Sequence, residues 1–398
     1  MPFGRHHLLF IFIQIRFSVV QPKLKSTMKS NNNVILDVRA VDIGQISTKF
    51  ITGRNPNGNS NHHLIASFPS FACRLSSGLI RTGNTDGCVV NVKGEHFYVG
   101  KDAMRHRTDN EPHVNLVDNC HTSTYAALLL GALHYIAEAA DATCDLEIGM
   151  LVLGLPVNSS NENLKMLRHA VVGEHLLPKP CTPGANRRVT IHEVTVVAEP
   201  QGAHLSNKLQ NRGNGDGLCC IVDAGGGTLN WLVSRGAQPY WNRSGSHPEC
   251  MIACASSVAH RINPFWSHDS EILQRIDMAI SKNSPTFKIG NCFYDLAPFE
   301  SDIANVLIES SKQLVDAVGC LDGLDHVFFT GGGANLHFDF FRNQYPENAN
   351  IMEIDTEPMF ANVRGFQLAG ERLLTFGSRN IRLENEFERE QLSFSQLN

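Results

Sequence analysis

Between Leu218 and Val233 the sequence reads LCCIVDAGGGTLNWLV, two apolar runs broken by Asp223, Ala224, Gly225, Gly226, Gly227 and Thr228. The flanks predict a strand, a glycine turn and a second strand. Three glycines in succession weaken such a pair, because glycine loses more backbone entropy on ordering than any other residue and packs nothing. A bare backbone at that place suits an anion: N–H groups that no side chain shields can close on a phosphate, and Thr228 adds a hydroxyl. A bulged hairpin is the plainer alternative.

A similar device stands earlier in the chain. Val34 to Asp42 (VILDVRAVD) reads as a strand ending in an acidic turn, followed by Gly44, Ser47, Thr48 and Lys49. Asp42 can face a hydrated Mg²⁺ while Ser47, Thr48 or Lys49 supply donors, although the motif taken alone is an ordinary hairpin turn. A third stretch, Phe328 to Asn335 (FFTGGGAN), predicts a buried strand opening onto Gly331, Gly332 and Gly333. That turn suits a planar base and ribose, or a simple strand-to-helix connection. Neither a G-x-G-x-x-G spacing nor a Walker lysine accompanies it, which disfavours the two standard nucleotide folds. In Val196 to Ala203 (VVAEPQGA), Glu199 sits at a strand end stiffened by Pro200, placed to orient a water for phosphoryl transfer or simply to begin a helix.

The chain of 398 residues is long enough for two domains. Ser123 to Ala140 predicts a helix capped by Thr122 or Ser123, Glu147 to Leu155 a buried strand ended by Pro156, and Val189 to Val197 further β structure. Ser159 and Glu162 have capping-box spacing ahead of a helix through His169. Helical periodicity returns at Ile272, Ile276 and Ala279, then at Ile303, Val306, Leu307, Leu314 and Val318. His326 to Thr330 predicts a strand, and Met359 to Phe376 a helix entered at Pro358, whose Ala361, Gly365 and Ala369 suit close packing on a sheet. The polar run Gly53 to Asn61 predicts a loop.

A net charge of -5 gives no reason to expect direct nucleic-acid binding. Eleven cysteines without C-x-x-C pairs point to a reducing compartment, hence the cytoplasm, rather than to disulfides or zinc. Leu8 to Val20 is apolar but contains Gln14 and Arg16 and is too short to span a bilayer, so an upstream-extended start with Met28 as initiator is the favoured reading over a membrane segment. His6, His7, His62 and His63 read as surface residues, Trp231 as core, and Trp241 and Trp266 as parts of an outer subdomain.

The order of these four segments resembles the actin, DnaK-type chaperone and sugar-kinase superfamily, where they are phosphate 1, connect 1, phosphate 2 and adenosine. Within it the chain is similar to plasmid-segregation actins of the ParM/StbA type, PRTRC system protein D above all, through Phe68 to Ala72, Leu153 to Val157, Tyr294 to Phe299 and Phe360 to Phe366. The resemblance implies an α/β actin-like ATPase (ribonuclease H-like) fold with two duplicated domains flanking a nucleotide cleft. It implies a leader 1–33, domain I over 34–206, domain II over 207–357, a returning helix over 358–377 and a tail over 378–398. It further implies ATP and Mg²⁺, with Asp42 and Asp223 holding the ion through water. Gly44, Ser47, Thr48 and Lys49 would meet the phosphates from one side and Gly225, Gly226, Gly227 and Thr228 from the other. Glu199, or Gln201 as actin uses a glutamine in this segment, would direct the water. Gly331, Gly332, Gly333 and Ala334 would contact adenosine, with Asn335 standing where ParM-like proteins often carry an acid. Self-assembly into a head-to-tail filament and a DNA-binding adaptor complete the implied picture; a nucleotide-sensing scaffold and a small-molecule kinase are the alternatives.

Overall fold

The computed structural model describes residues 33–55, 63–75, 86–106, 120–140, 144–179, 184–209, 217–236 and 238–375. His6, His7, Leu8 to Val20, Met28, His62, most of the Gly53–Asn61 connection and the tail 378–398 lie outside them.

The first half begins with a hairpin, β1 (Val34–Ile43) and β2 (Ser47–Arg54), extended by β3 (His63–Pro69). A small sheet follows, β4 (Ala72–Arg74), β5 (Cys88–Val92) and β6 (Glu95–Val99), in the order β4-β6-β5. Then come α1 (Ser123–Ala139), β7 (Leu146–Leu155), α2 (Asn161–Val171), β8 (Gly173–Pro178), β9 (Asn186–Ala198) and α3 (Glu199–Leu209). The main sheet has the order β3-β2-β1-β7-β9-β8, with β1, β7 and β9 parallel. Parallel central strands are covered on both faces and therefore read as continuous apolar runs, as the buried Met150 to Leu155 segment does.

The second half repeats the opening. Hairpin β10 (Leu218–Ala224) and β11 (Leu229–Arg235) leads, through β12 (Gln238–Pro239), β13 (Gly245–His247), α4 (Met251–Ile262), α5 (Ser270–Ser281), β14 (Thr286–Ile289), β15 (Cys292–Asp295) and α6 (Glu300–Val318), to β16 (His326–Thr330). After it come α7 (Ala334–Gln344), β17 (Met352–Ile354) and a final helix α8 over residues 361–375. The sheet order is β12-β11-β10-β16-β17, with β10, β16 and β17 parallel. Helices α4, α5, α6 and α7 form one apolar cluster with this sheet, and Trp231 lies inside it, 4% exposed.

Helix α1 is buried nearly all round because it lies between the main sheet and the small one; Thr122 Oγ1 accepts from Tyr125 N at 3.2 Å and caps it. The cap of α2 differs from expectation by one residue. Ser160, not Ser159, accepts from Asn163 N at 3.1 Å, so neighbouring serines compete and the later one wins. His63 is no surface residue either: its side chain is buried and its Nε2 lies 3.1 Å from Glu371 Oε1 on α8. Six of the ten cysteines among the described residues are buried.

The small residues of α8 pack differently from the expected stripe. Ala361 joins a cluster with Ala203 of α3 and with Cys219 and Ile221 of β10, while a Cβ on Gly365 would lie 1.7 Å from Gly202 O of α3, so the two seat α8 on α3 and on the second sheet. The contact with the first sheet is made by Val363, Phe366 and Gly370 against Val38, Ala40, Met150 and Val152. Burying Phe366 fully is worth about 2–3 kcal/mol of apolar transfer. Helix α3 packs on β9 and β7 of the first sheet and on β10 and β11 of the second, so the expected boundary at 206/207 falls inside a helix that serves both.

Candidate functional site

Both hairpins turn in the same way. Gly44 N donates to Ser47 O at 3.2 Å, and Gly225 N donates to Thr228 O at 2.9 Å. Strand register then sets Asp42 opposite Lys49 and Asp223 opposite Asn230. The first pair is ionic, with Lys49 Nζ 3.1 Å from Asp42 Oδ2 and both side chains largely buried. In the second hairpin Asn230 Nδ2 turns aside to Glu199 Oε2 at 2.9 Å and to Thr228 Oγ1 at 3.0 Å, and Asp223 Oδ2 accepts from Asn362 Nδ2 of α8 at 2.8 Å.

Asp42, Gly44, Glu199, Gly225, Gly226, Gly227 and Thr228 line one cleft together with Gln45, Tyr125, Gly154, Pro156 and Asn362. Asp223 and Lys49 are not among the lining residues; Lys49 bonds Asp42, and the charges of Asp223 and Glu199 also reach its ammonium. Burial pushes the Glu199 carboxyl well above the ordinary range, and the charges of Asp42 and Asp223 push it further against the pull of Lys49 and Asn230. Asp223 is raised as well, chiefly by burial. For Lys49 burial works downward, but the three acids outweigh it and the ammonium is held more firmly than usual. Three buried acids against one cation, two of them pushed towards their neutral forms, gather hard oxygen donors that a hydrated magnesium ion would draw back into charge.

Other expected site residues lie elsewhere. Thr48 is fully buried and its Oγ1 pairs with Ser70 Oγ at 2.9 Å; neither it nor Ser47 lines the cleft. Gln201 reaches back so that its Oε1 accepts from Ala198 N at 3.4 Å, the return contact of a capping box at the start of α3. Gly226 is bare because Ile46 of the opposite turn presses on it, a would-be Cβ meeting Ile46 Cγ1 at 2.7 Å. Gly331 has φ +89°, and a Cβ there would strike Ala224 O at 2.3 Å and Asp223 Oδ1 at 2.6 Å; Gly333 abuts Met251. Those two glycines serve packing beside Asp223, while Gly332 and Asn335 are exposed and Ala334 is buried.

Asn230 and Asn362 were not anticipated as site residues. Asn230 is the one amide in the apolar strand β11, and its being there at all is the available signal; Asn362 shares α8 with Gln367 and stands out less. Each also leaves its Oδ1 without a partner beside the cleft.

Residues 40–202 match the family described as the actin-like proteins N terminal domain. Among solved structures, Ta0583, an archaeal actin homolog, is similar with a TM-score of 0.65 at 21% identity over 85% of this chain and 99% of that one. Its complex with ADP gives 0.62 at 20% identity over 85% and 100% of the two chains. The actin-like protein Alp7A gives 0.66 at 13% over 88% and 100%, and a subunit of a 15-stranded ParM filament from Clostridium botulinum 0.61 at 16% over 85% and 99%. The chain matches no curated protein. Its two hairpins, the acids between them and these likenesses together make this a protein of actin-like fold, with an actin-like N-terminal domain over residues 40–202.

Proposed function

We propose that the chain binds ATP with Mg²⁺ between the Asp42 and Asp223 turns, hydrolyses it, and assembles head to tail into filaments that segregate plasmid-like DNA through an adaptor. The observation that carries this reading is one cleft lined by Asp42, Glu199 and the glycine turns of both hairpins, with Lys49 bonded to Asp42 beside it. The ADP complex of Ta0583 and the ParM filament support nucleotide binding and self-association by likeness of fold. Among the described residues no three acidic, histidine or cysteine groups lie close enough to grip an ion directly, so an ion here would keep its waters. Asp42 and Asp223 would hold those waters, and the ion would supply charge to neutralise the phosphates.

Lys49, bonded to the cleft-lining Asp42, adds a point charge, and the N–H groups of Gly226 to Thr228 are the ones to meet phosphate oxygens, since Gly225 N already donates to Thr228 O. Glu199 is the residue to orient the attacking water, because it lines the cleft and Asn230 holds its carboxylate, whereas Gln201 is occupied in capping α3. On this reading 34–206 and 207–357 are the two domains, 358–377 returns to the first, and Gly332 with Asn335 borders the base. A heterologous, non-closing contact between subunits gives a polymer.

The test is turnover of ATP with magnesium alongside light scattering. Wild type is expected to hydrolyse and scatter, and Glu199→Gln to bind nucleotide while losing about 10²–10⁴ of its turnover rate. Equal, negligible turnover in both proteins would establish a nucleotide-binding scaffold instead, and absence of nucleotide binding would sink the reading.

A further inference from the structure

At the start of α8, Asn362 brings an amide into the wall of the cleft between the two turns. The residue is 7% exposed, and its Nδ2 donates to Asp223 Oδ2 at 2.8 Å. Because α8 covers the first sheet through Val363 and Phe366, that bond ties the cover of one sheet to the aspartate of the other. The far end of the same amide is unused: Oδ1 is buried and no protein group donates to it. A buried carbonyl without a donor forfeits its hydration with nothing in return, and natural interiors rarely leave one so.

The missing donor has to come from whatever fills the cleft. Space there that water can occupy amounts to about 60 Å³, more than a single water needs. An amide oxygen only accepts, so it cannot bond a phosphate oxygen, which also only accepts. Two classes of donor remain, water and the hydroxyls of a ribose. With Nδ2 fixed on Asp223, Oδ1 lies one amide group away from a carboxylate that the nucleotide reading gives to the waters of Mg²⁺. A water held by a divalent cation is polarised and donates more strongly than a free one.

We propose that Asn362 is a positioning residue for the hydrated ion: Nδ2 fixes the Asp223 carboxylate, and Oδ1 accepts from a water of the ion's shell. This role rests on the proposed nucleotide site and adds to it a holder of the ion outside the three acids. An amide suits the place because it supplies an acceptor without a fourth negative charge beside Asp42, Asp223 and Glu199. It also makes grip on the ion depend on α8, and so on the seat of that helix on the first sheet.

The test is the ATP affinity of the full chain by calorimetry, once with magnesium and once with EDTA. In wild type, magnesium should tighten ATP about tenfold or more. Asn362→Ala removes donor and acceptor together and should erase most of that gain, while affinity in EDTA stays within about twofold of wild type. Asn362→Asp gives up the bond to Asp223 but keeps an acceptor, so its gain from magnesium should match or exceed that of wild type. A merely structural role, or a ribose contact, would weaken ATP equally in both media, and that result overturns the proposal. So does a gain in Asn362→Ala equal to wild type's, or a gain in Asn362→Asp as small as that of Asn362→Ala. Wild type needs no variant to refute it: ATP binding that magnesium does not tighten overturns the role of Asn362 and leaves the nucleotide site standing. Absence of ATP binding in both media overturns the nucleotide reading itself.

Discussion

The hairpins β1–β2 and β10–β11 share a turn, a register and an aspartate at the same place, yet the residue opposite that aspartate differs. In the first it is Lys49, which neutralises Asp42 directly. In the second it is Asn230, which leaves Asp223 to Asn362 and spends its own amide on Glu199 and Thr228. Duplication thus supplied two equal frames, and one substitution divided the labour between them. One side carries the positive charge, the other holds the acid that lies between. A symmetric pair of lysines would balance the charge but leave Glu199 without its amide partner.

That division can be broken in a measurable order. Lys49→Ala removes the single cation from three buried acids, and urea unfolding should show a loss of about 3–5 kcal/mol. Asn230→Ala removes hydrogen bonds only and should cost about 1–3 kcal/mol by the same assay. If the two losses are equal, the hairpins are not differentiated in the way described. Next come the hydroxyls at matching positions. Thr228→Val should lower ATP turnover, since Thr228 lines the cleft, whereas Thr48→Val should leave turnover near wild type and cost about 1 kcal/mol of stability through the lost Ser70 contact.

The smallest effect contrasts acids poor in cations with one rich in them. Although burial pushes Glu371 upward, hydrogen bonds from His63, Gln367 and Arg54 hold it down at about 2. A carboxylate lowered in the folded state contributes stability above its unfolded value near 4.3 and loses it as pH falls towards 2. Glu371 is half-buried, so the contribution is about 1–2 kcal/mol after screening. Urea midpoints of wild type and Glu371→Gln should differ at pH 7 and converge between about pH 4.3 and 2. A gap that persists at pH 2 would show that the residue acts by packing alone.

How much of this was legible beforehand depended on whether the signal was local. Strand β16 was read at its full extent, and β10 and β11 as strand, turn and strand, because apolar runs bounded by glycine admit little else. The fold class followed from the order of the four segments. The partners of those segments were not legible. Nothing near Thr48 says that Ser70 will take its hydroxyl, and nothing near Gly365 says that Gly202, far away in sequence, will lie against it. The three glycines of the third turn suit a base and ribose or a simple strand-to-helix connection, and at Gly331 and Gly333 the room is filled by the protein itself, by Ala224 and Met251. Bare backbone signals close approach without saying what approaches.

The seat of α8 on the first sheet also has a consequence in time. Val38, Ala40, Met150 and Val152 emerge early in synthesis, but Val363 and Phe366, which cover them, are made more than two hundred residues later. At common elongation rates of about 5–20 residues per second, that face waits about 10–40 s without its cover. During this interval the nascent first half presents an apolar surface that only the end of its own chain can close, so it depends on whatever shields it at the ribosome until α8 arrives.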